Sequence, residues 1–178
     1  MANPKSAYSV STKKEKSDTH IIVVWVDNEA GVLARVVGLF SGRGYNIDSL
    51  AVAEVDKKKN ISRITISTSG TLQVLQQIKL QLGKLVPVHK VADFPANKKT
   101  LLREMALIKI VSPKTQLEKA KKLCKKYKYT VIDRTQKSYV FGVSALKKEI
   151  DQLLKKLQSL GLASVSRTGV VAMTKGSE

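Results

Sequence analysis

Residues 27–50 read DNEAGVLARVVGLFSGRGYNIDSL, and this stretch decides the fold. It has the order of a strand end, a short turn with a glycine, an amphipathic helix, a glycine-rich turn and a new strand. Leu33, Val36, Val37 and Phe40 fall at i, i+3, i+4 and i+7, one face of a helix. Gly42 and Gly44 stop that helix. Gly31 lets the backbone come close to a ligand, and the free amides of the first helical turn can hold a carboxylate. No side chain in the stretch suits nucleophilic or acid–base catalysis. This is the makeup of a site that senses a small anion.

Working outward, residues 20–27 (HIIVVWVD) are apolar almost throughout and read as a buried strand. Residues 45–55 read as a second strand and 56–60 (DKKKN) as a charged hairpin turn. Residues 61–69 form a third strand, with Ile64 and Ile66 on one face. Gly70 and Thr71 open a second helix carried by Leu75, Ile78 and Leu82; Gly83 ends it, and 85–94 form a fourth strand. The order strand–helix–strand–strand–helix–strand is the split βαβ, or ferredoxin-like, unit. The second half repeats it with different residues. Residues 101–111 are a strand and Pro113 sits at a helix start. Leu117, Ala120, Cys124 and Tyr127 form a helical face. Residues 129–134 and 138–143 are paired strands. Leu146, Ile150, Leu153, Leu154 and Leu157 form the next helical stripe. Gly161 ends it, and 163–173 are a final strand with a kink expected at Gly169. The expected architecture is α+β: two tandem ferredoxin-like βαββαβ domains at 20–94 and 101–176. Residues 1–19 form a disordered basic arm and 95–100 a linker. Domains of roughly 75 residues are at the lower end of what folds alone, and their small open sheets leave edges that invite a second chain. Dimerisation through sheet edges and helices is therefore expected.

The chain has 178 residues, 43% hydrophobic, so it can build a core. No apolar run approaches the roughly 20 residues of a membrane-spanning helix. The polar N-terminal stretch lacks the apolar block of a secretory signal, and Glu15 and Asp18 argue against an organellar transit peptide. Cys124 is the only cysteine, which leaves no disulfide framework and no thiolate metal cluster and fits a reducing cytoplasm. The net charge of +18 is uneven. Residues 1–19 carry a net +2 and residues 20–96 a net +3. Residues 97–178 hold nineteen basic and six acidic side chains, a net +13. Such a half fits nucleic acid, an anionic nucleotide or an acidic protein, or a lysine-rich solvated surface.

Catalysis is not expected. His20 and His89 lie in strand-like segments with no paired partner in sequence. No metal-ligand spacing is present, and the GRG at 42–44 follows a helix, so the dinucleotide fingerprint fails. The strongest local signal is the turn 28–33. Asn28 is either the N-terminal cap or a direct ligand contact. The amides of Gly31, Val32 and Leu33 would gain charge-assisted bonds and the helix dipole from a carboxylate, together about 1–3 kcal/mol. An amino-acid ligand also needs a polar partner for its ammonium, which Asn46 can supply, and an apolar pocket, which Val32, Leu33 and Ile47 can supply.

Residues 27–50 closely resemble the pattern N-E-x-G-x-L-x-R-V-x-G-L-F-x-x-R-G-Y-N-I-x-S-L of the ACT-domain small regulatory subunits of acetohydroxyacid (acetolactate) synthase. The likeness continues through Ser62–Ile66 and residues 77–88. It returns in REMALIK at 103–109 and RTGVV at 167–171, which resemble the family's R-E-L-M-L-V-K and R-S-G-V-V. It spans about 20–176, dense before Leu50 and patchy between 112 and 163. The resemblance implies an N-terminal ACT domain, a C-terminal ferredoxin-like domain and no active site. It implies a cytoplasmic homodimer that binds and activates the large catalytic subunit and confers feedback inhibition by valine or another branched-chain amino acid. Thiamine diphosphate, Mg and FAD would then belong to the catalytic subunit alone, and this chain would carry no cofactor. It also implies an effector held between two ACT domains, with Asn28, Gly31, Val32 and Leu33 from one chain and Asn46 and Ile47 from its partner.

The rival reading is a basic ferredoxin-like RNA-binding module. Such folds stack bases on aromatics of the first and third strands. Here the third strand, ISRITISTS, has none and the first has only Trp25, so nucleic acid is not the expected partner. A free-standing amino-acid-sensing transcriptional regulator would need a helix-turn-helix segment, and none is evident.

Overall fold

In β1 (Asp18–Asp27), Ile22, Val24 and Val26 alternate with Ile21, Val23 and Trp25, so the strand is apolar on both faces. A strand buried on both faces belongs in the middle of a sheet with something packed on each side. The computed structural model, which describes residues 18–94 and 100–176, places it so. The first sheet runs β2-β3-β1-β4 and the second β6-β7-β5-β8, all neighbours antiparallel. The elements are β2 (Ser49–Asp56), β3 (Ile61–Gly70), β4 (Val88–Phe94), β5 (Thr100–Val111), β6 (Lys128–Arg134), β7 (Ser138–Ala145) and β8 (Leu162–Thr174). The helices are α1 (Val32–Ser41), α2 (Leu72–Leu82), α3 (Lys114–Cys124) and α4 (Lys147–Leu157). The result is the expected pair of ferredoxin-like βαββαβ units. Of the expected linker at 95–100, residues 95–99 lie outside the described residues and Thr100 already begins β5; the arm up to residue 17 also lies outside them.

Each helix pair covers one face of its sheet. Ile22, Val24, Ile64 and Ile66 meet Val36, Phe40, Leu75, Ile78 and Leu82 in the first core. In the second, Ala106, Ile108 and Ile110 meet Leu117, Cys124, Ile150, Leu153 and Leu157. The stripes expected on α2, α3 and α4 are thus the buried ones, except at their ends. Tyr127 lies beyond α3 and is only partly buried, and Leu146 is an exposed N-cap. At α4, Glu149 accepts the Leu146 amide at 2.8 Å, half of a capping box.

Several boundaries differ from the expectation for local reasons. In α1 the buried stripe is Val32, Val36, Leu39 and Phe40, so Leu33 stays exposed and Val37 half-buried. Residues 45–48 are not strand. The Tyr45 amide closes the helix onto Phe40 O at 3.0 Å, and the Asp48 amide reaches Ser67 O at 2.8 Å before pairing begins at Ser49. Residues 85–87 are a turn, with the Val88 amide on Leu85 O. Gly70 still pairs with Asp18 at the end of β3, and Thr71 caps α2 by accepting from the Val74 amide. β1 starts two residues before the expected point. The kink at Gly169 is present: its φ is 79°, and the β5–β8 register shifts between Glu104 and Ala106.

The two sheets are joined along the outer face of the first. Ile21, Val23 and Phe94 bury there against Val170 and Ala172 of β8, with Trp25 and Leu102 at the margin. Arg63 donates from Nη2 to the Ala172 carbonyl and lies over Trp25 at 5.1 Å and Phe94 at 5.8 Å.

Candidate functional site

Gly31 is the N-cap of α1, with φ 83° and no side chain capping the helix. That left-handed conformation costs a residue with a Cβ about 1–2 kcal/mol and glycine nothing comparable. A Cβ built there meets nothing within 4 Å, so the space over the turn is open on this chain. The Val32 amide reaches back to Glu29 O only at 3.4 Å. The Gly31 and Leu33 amides donate to no group among the described residues. An anion placed there meets open donors and the positive helix end.

Asn28 is not the cap. It sits three residues earlier, pinned to the β2–β3 turn. Its amide donates to Asn60 O at 2.7 Å and its Oδ1 accepts the Ser62 hydroxyl at 3.0 Å, leaving Nδ2 for a ligand. The Val32 side chain is buried in the first core, so only its amide faces outward. Leu33 is 41% exposed and stands beside the turn as an apolar wall.

Asn46 is exposed, and its Nδ2 donates to Asp48 Oδ1 at 2.7 Å. Its carbonyl accepts the Thr68 hydroxyl at 2.6 Å. Ile47 packs partly into the first core. The two groups of residues are not brought together within one chain. The turn at 28–33 follows Asp27, which pairs with Ile61 at the start of β3, whereas Asn46 is tied to Thr68 near the end of that strand. Seven residues of extended chain separate those points by about 23 Å. A small ligand cannot touch both groups of one chain.

Two features escaped the sequence. His89 Nε2 lies 2.6 Å from Asp27 Oδ1, and His20 Nδ1 lies 3.6 Å from Asp93, which also holds Lys79 at 3.2 Å. Both histidines thus have carboxylate neighbours that only the β1–β4 alignment supplies. Asp27 and His89 brace the strand end just before the Gly31 turn, and the Asp27 amide donates to Pro87 O at 2.9 Å. Trp25, the one aromatic that base stacking could have used, is engaged by Arg63 and by Lys90 at 5.1 Å. Among the described residues no group of three His, Cys, Asp or Glu side chains is placed to hold a metal ion. Among the described residues no helix is long and apolar enough to cross a membrane.

Comparison with known proteins bears on the fold and the family. Residues 22–90 match the model of the small-subunit-like ACT domain of AHAS, and residues 103–176 match the small subunit of acetolactate synthase. The acetolactate synthase small subunit of Haemophilus influenzae is 36% identical over 157 residues, covering 88% of this chain and 95% of that protein. The isozyme 3 small subunit of Salmonella typhimurium is 38% identical with the same coverage. The crystal structure of the small subunit from Thermotoga maritima superposes with a TM-score of 0.82 at 29% identity, covering 90% of this chain and 99% of that one. Two family models in tandem, and relatives alike over nearly their whole length, leave one assignment: this chain belongs to the acetolactate synthase small-subunit family.

Proposed function

We propose that this chain is the non-catalytic regulatory subunit of acetolactate synthase in branched-chain amino acid synthesis. In this reading it binds the large catalytic subunit, raises its activity and transmits feedback inhibition by valine. The observation that carries the reading is the match of both family models, in order, along one chain. Thiamine diphosphate, Mg and FAD belong to the catalytic partner, and the complex works in the cytoplasm.

The effector lies between two copies of the first domain. The placement of the Gly31 turn and Asn46 by opposite ends of β3 supports this, because a second chain would then supply one of them. The ligand carboxylate takes the open amides at Gly31 and Leu33. Its ammonium takes Asn46 of the other copy, and its branched side chain lies against Leu33 and Ile47. The homodimer is therefore part of the site. An RNA-binding role loses support from Trp25, which Arg63 and Lys90 already occupy.

The test is co-purification with an acetolactate synthase catalytic subunit, followed by activity assays with and without valine. The expected result is a stable complex, higher turnover than the catalytic subunit alone, and inhibition only when this chain is present. Absence of any complex, combined with saturable binding of single-stranded RNA near physiological salt, would overturn the reading.

A further inference from the structure

The segment carrying Asn46 runs directly into a contact with the second domain. Ser49 follows it at the start of β2, and its hydroxyl accepts the Val170 amide of β8 at 3.3 Å. Next to Val170, Gly169 has φ 79°, and a Cβ there would stand 3.2 Å from Ser49 Cβ and 3.4 Å from Leu50 O. A side chain there would press on Ser49, and the positive φ would strain it further. β8 stays paired with β5 in the second sheet on both sides of this point, Val165 with Ile108 before it and Val170 with Glu104 after it, as far as Thr174 with Thr100. Before it, Arg167 binds Glu104. After it, the side chains of Val170 and Ala172 pack on the outer face of the first sheet, where Arg63 takes the Ala172 carbonyl. The register shift at Gly169 lies where the two sheets meet.

We propose that β8 positions the Asn46 half of the effector site through Ser49, so that effector occupancy and docking of the second domain on the first sheet, through residues 169–174, are one coupled equilibrium. This rests on the regulatory reading of Asn46 above. Only Ile47 and Asp48 separate Asn46 from Ser49, and both are held. Ile47 packs into the core, the Asp48 amide bonds Ser67 O, and the Asp48 carboxylate accepts from Asn46 and from Ser69. A segment so tied moves as a unit with Ser49. The apolar contact between the domains is a small cluster, and small interfaces between domains permit relative motion. Its opening and closing would be the two-state element that such coupling requires. Linkage makes the effect mutual: an effector that favours the docked arrangement tightens docking, and loss of docking weakens the effector by the same factor.

The full-length chain is tested by valine calorimetry and by hydrogen exchange of the β8 segment with and without valine. In the unmodified protein, valine slows exchange at Val170. Ser49→Ala weakens valine binding about fivefold and abolishes the slowing. Ser49→Thr, which keeps the hydroxyl, restores both. Arg63→Lys, which removes the planar donor from Ala172 without touching the half-site, also reduces both. The unfolding midpoint of Ser49→Ala stays at the unmodified value, which separates positioning from a merely structural loss. A Ser49→Ala protein with unchanged valine affinity and unchanged slowing overturns the coupling while leaving the regulatory reading intact. An unmodified protein that takes up no branched-chain amino acid overturns both.

Discussion

Arg167 holds Glu104 through two parallel hydrogen bonds, Nε to Oε1 and Nη2 to Oε2, each 2.7 Å long. Its third nitrogen, Nη1, donates to Asp151 Oδ1 at 2.6 Å. One guanidinium thus ties β5, β8 and α4 together two residues before the Gly169 kink. The hydrogen bond to Glu104 is the main reason the Arg167 pKa is raised above its ordinary value; burial opposes it. The partners are unequally placed, for the Glu104 side chain is 4% exposed and that of Arg167 is 28%.

That inequality predicts an asymmetric pair of mutations. Arg167→Met strands a carboxylate in the core and costs about 3–5 kcal/mol. Glu104→Gln leaves a guanidinium that still reaches Asp151 and water, and costs about 1–2 kcal/mol. Urea midpoints of the two variants measure the difference. Equal midpoints would show that the buried charge does not set the cost.

Asp151 gives the fold an acid-sensitive contact. Partial burial pushes its carboxyl up, but hydrogen bonding and charge from Arg167, with help from Lys147, outweigh this and hold it below its ordinary 3.8. A carboxyl lowered in the folded state stabilises it at pH above the unfolded value. That contribution fades as pH falls through 3.8 toward the folded value. The side chain is 39% exposed, so solvent screens the effect and it stays small. Denaturation of Asp151→Asn should therefore depend less on pH below about 4 than that of the unmodified protein. Parallel curves down to pH 2 would contradict this.

The elements of this fold were legible because each carries its own period. Leu75, Ile78 and Leu82, or Ile150, Leu153 and Leu157, have one way to face a core. On α1 the signal was doubled. Val32, Leu33, Val36, Val37, Leu39 and Phe40 fill two overlapping stripes, and the turn at Gly31, not the pattern, chooses between them. The Gly31 turn itself was visible as a glycine before a helix. Its surroundings were not, since Asn28 meets Ser62 across 34 residues and Glu104 meets Arg167 across 63. Such pairs depend on strand register, which no local window contains. The packing of β8 against the first sheet was hidden for the same reason: alternation of Val170 and Ala172 says that one face is buried, not against which sheet.

Cys124 is predicted to be inert in the folded protein. Burial pushes its thiol up to about 11, so the thiolate is scarce at neutral pH, and the side chain is enclosed by the second core. A disulfide exchange reagent at pH 8 should react only at the rate of unfolding and promptly in denaturant. Prompt labelling of the native chain would contradict the enclosure.

Gly31→Asp places a carboxylate where the effector carboxylate is proposed to sit. The space is open, so the substitution meets no atom, and aspartate tolerates the left-handed conformation better than most residues. The expected cost in stability is about 1 kcal/mol, while valine affinity falls at least tenfold through like-charge repulsion. Calorimetry on the folded variant decides the matter, and an unchanged valine constant would remove the Gly31 turn from the site.

The last prediction uses the distance between the two half-sites. Gly31→Asp damages the turn and Asn46→Ala damages the facing segment; each homodimer then carries two defective sites. If every site takes its turn from one chain and its Asn46 from the other, a mixed dimer of the two variants has one doubly damaged site and one wholly intact site. Mixing the inactive proteins under subunit exchange should therefore restore valine binding at near-original affinity. The stoichiometry should reach one ligand per mixed dimer, with half of the dimers mixed at equilibrium. A site built within one chain permits no such rescue, because each chain would carry its own lesion into every pairing. Titration of the equilibrated mixture by calorimetry distinguishes the two. Failure to recover any high-affinity binding, with exchange verified by mass spectrometry, would place the effector site inside the single chain although its parts lie by opposite ends of β3.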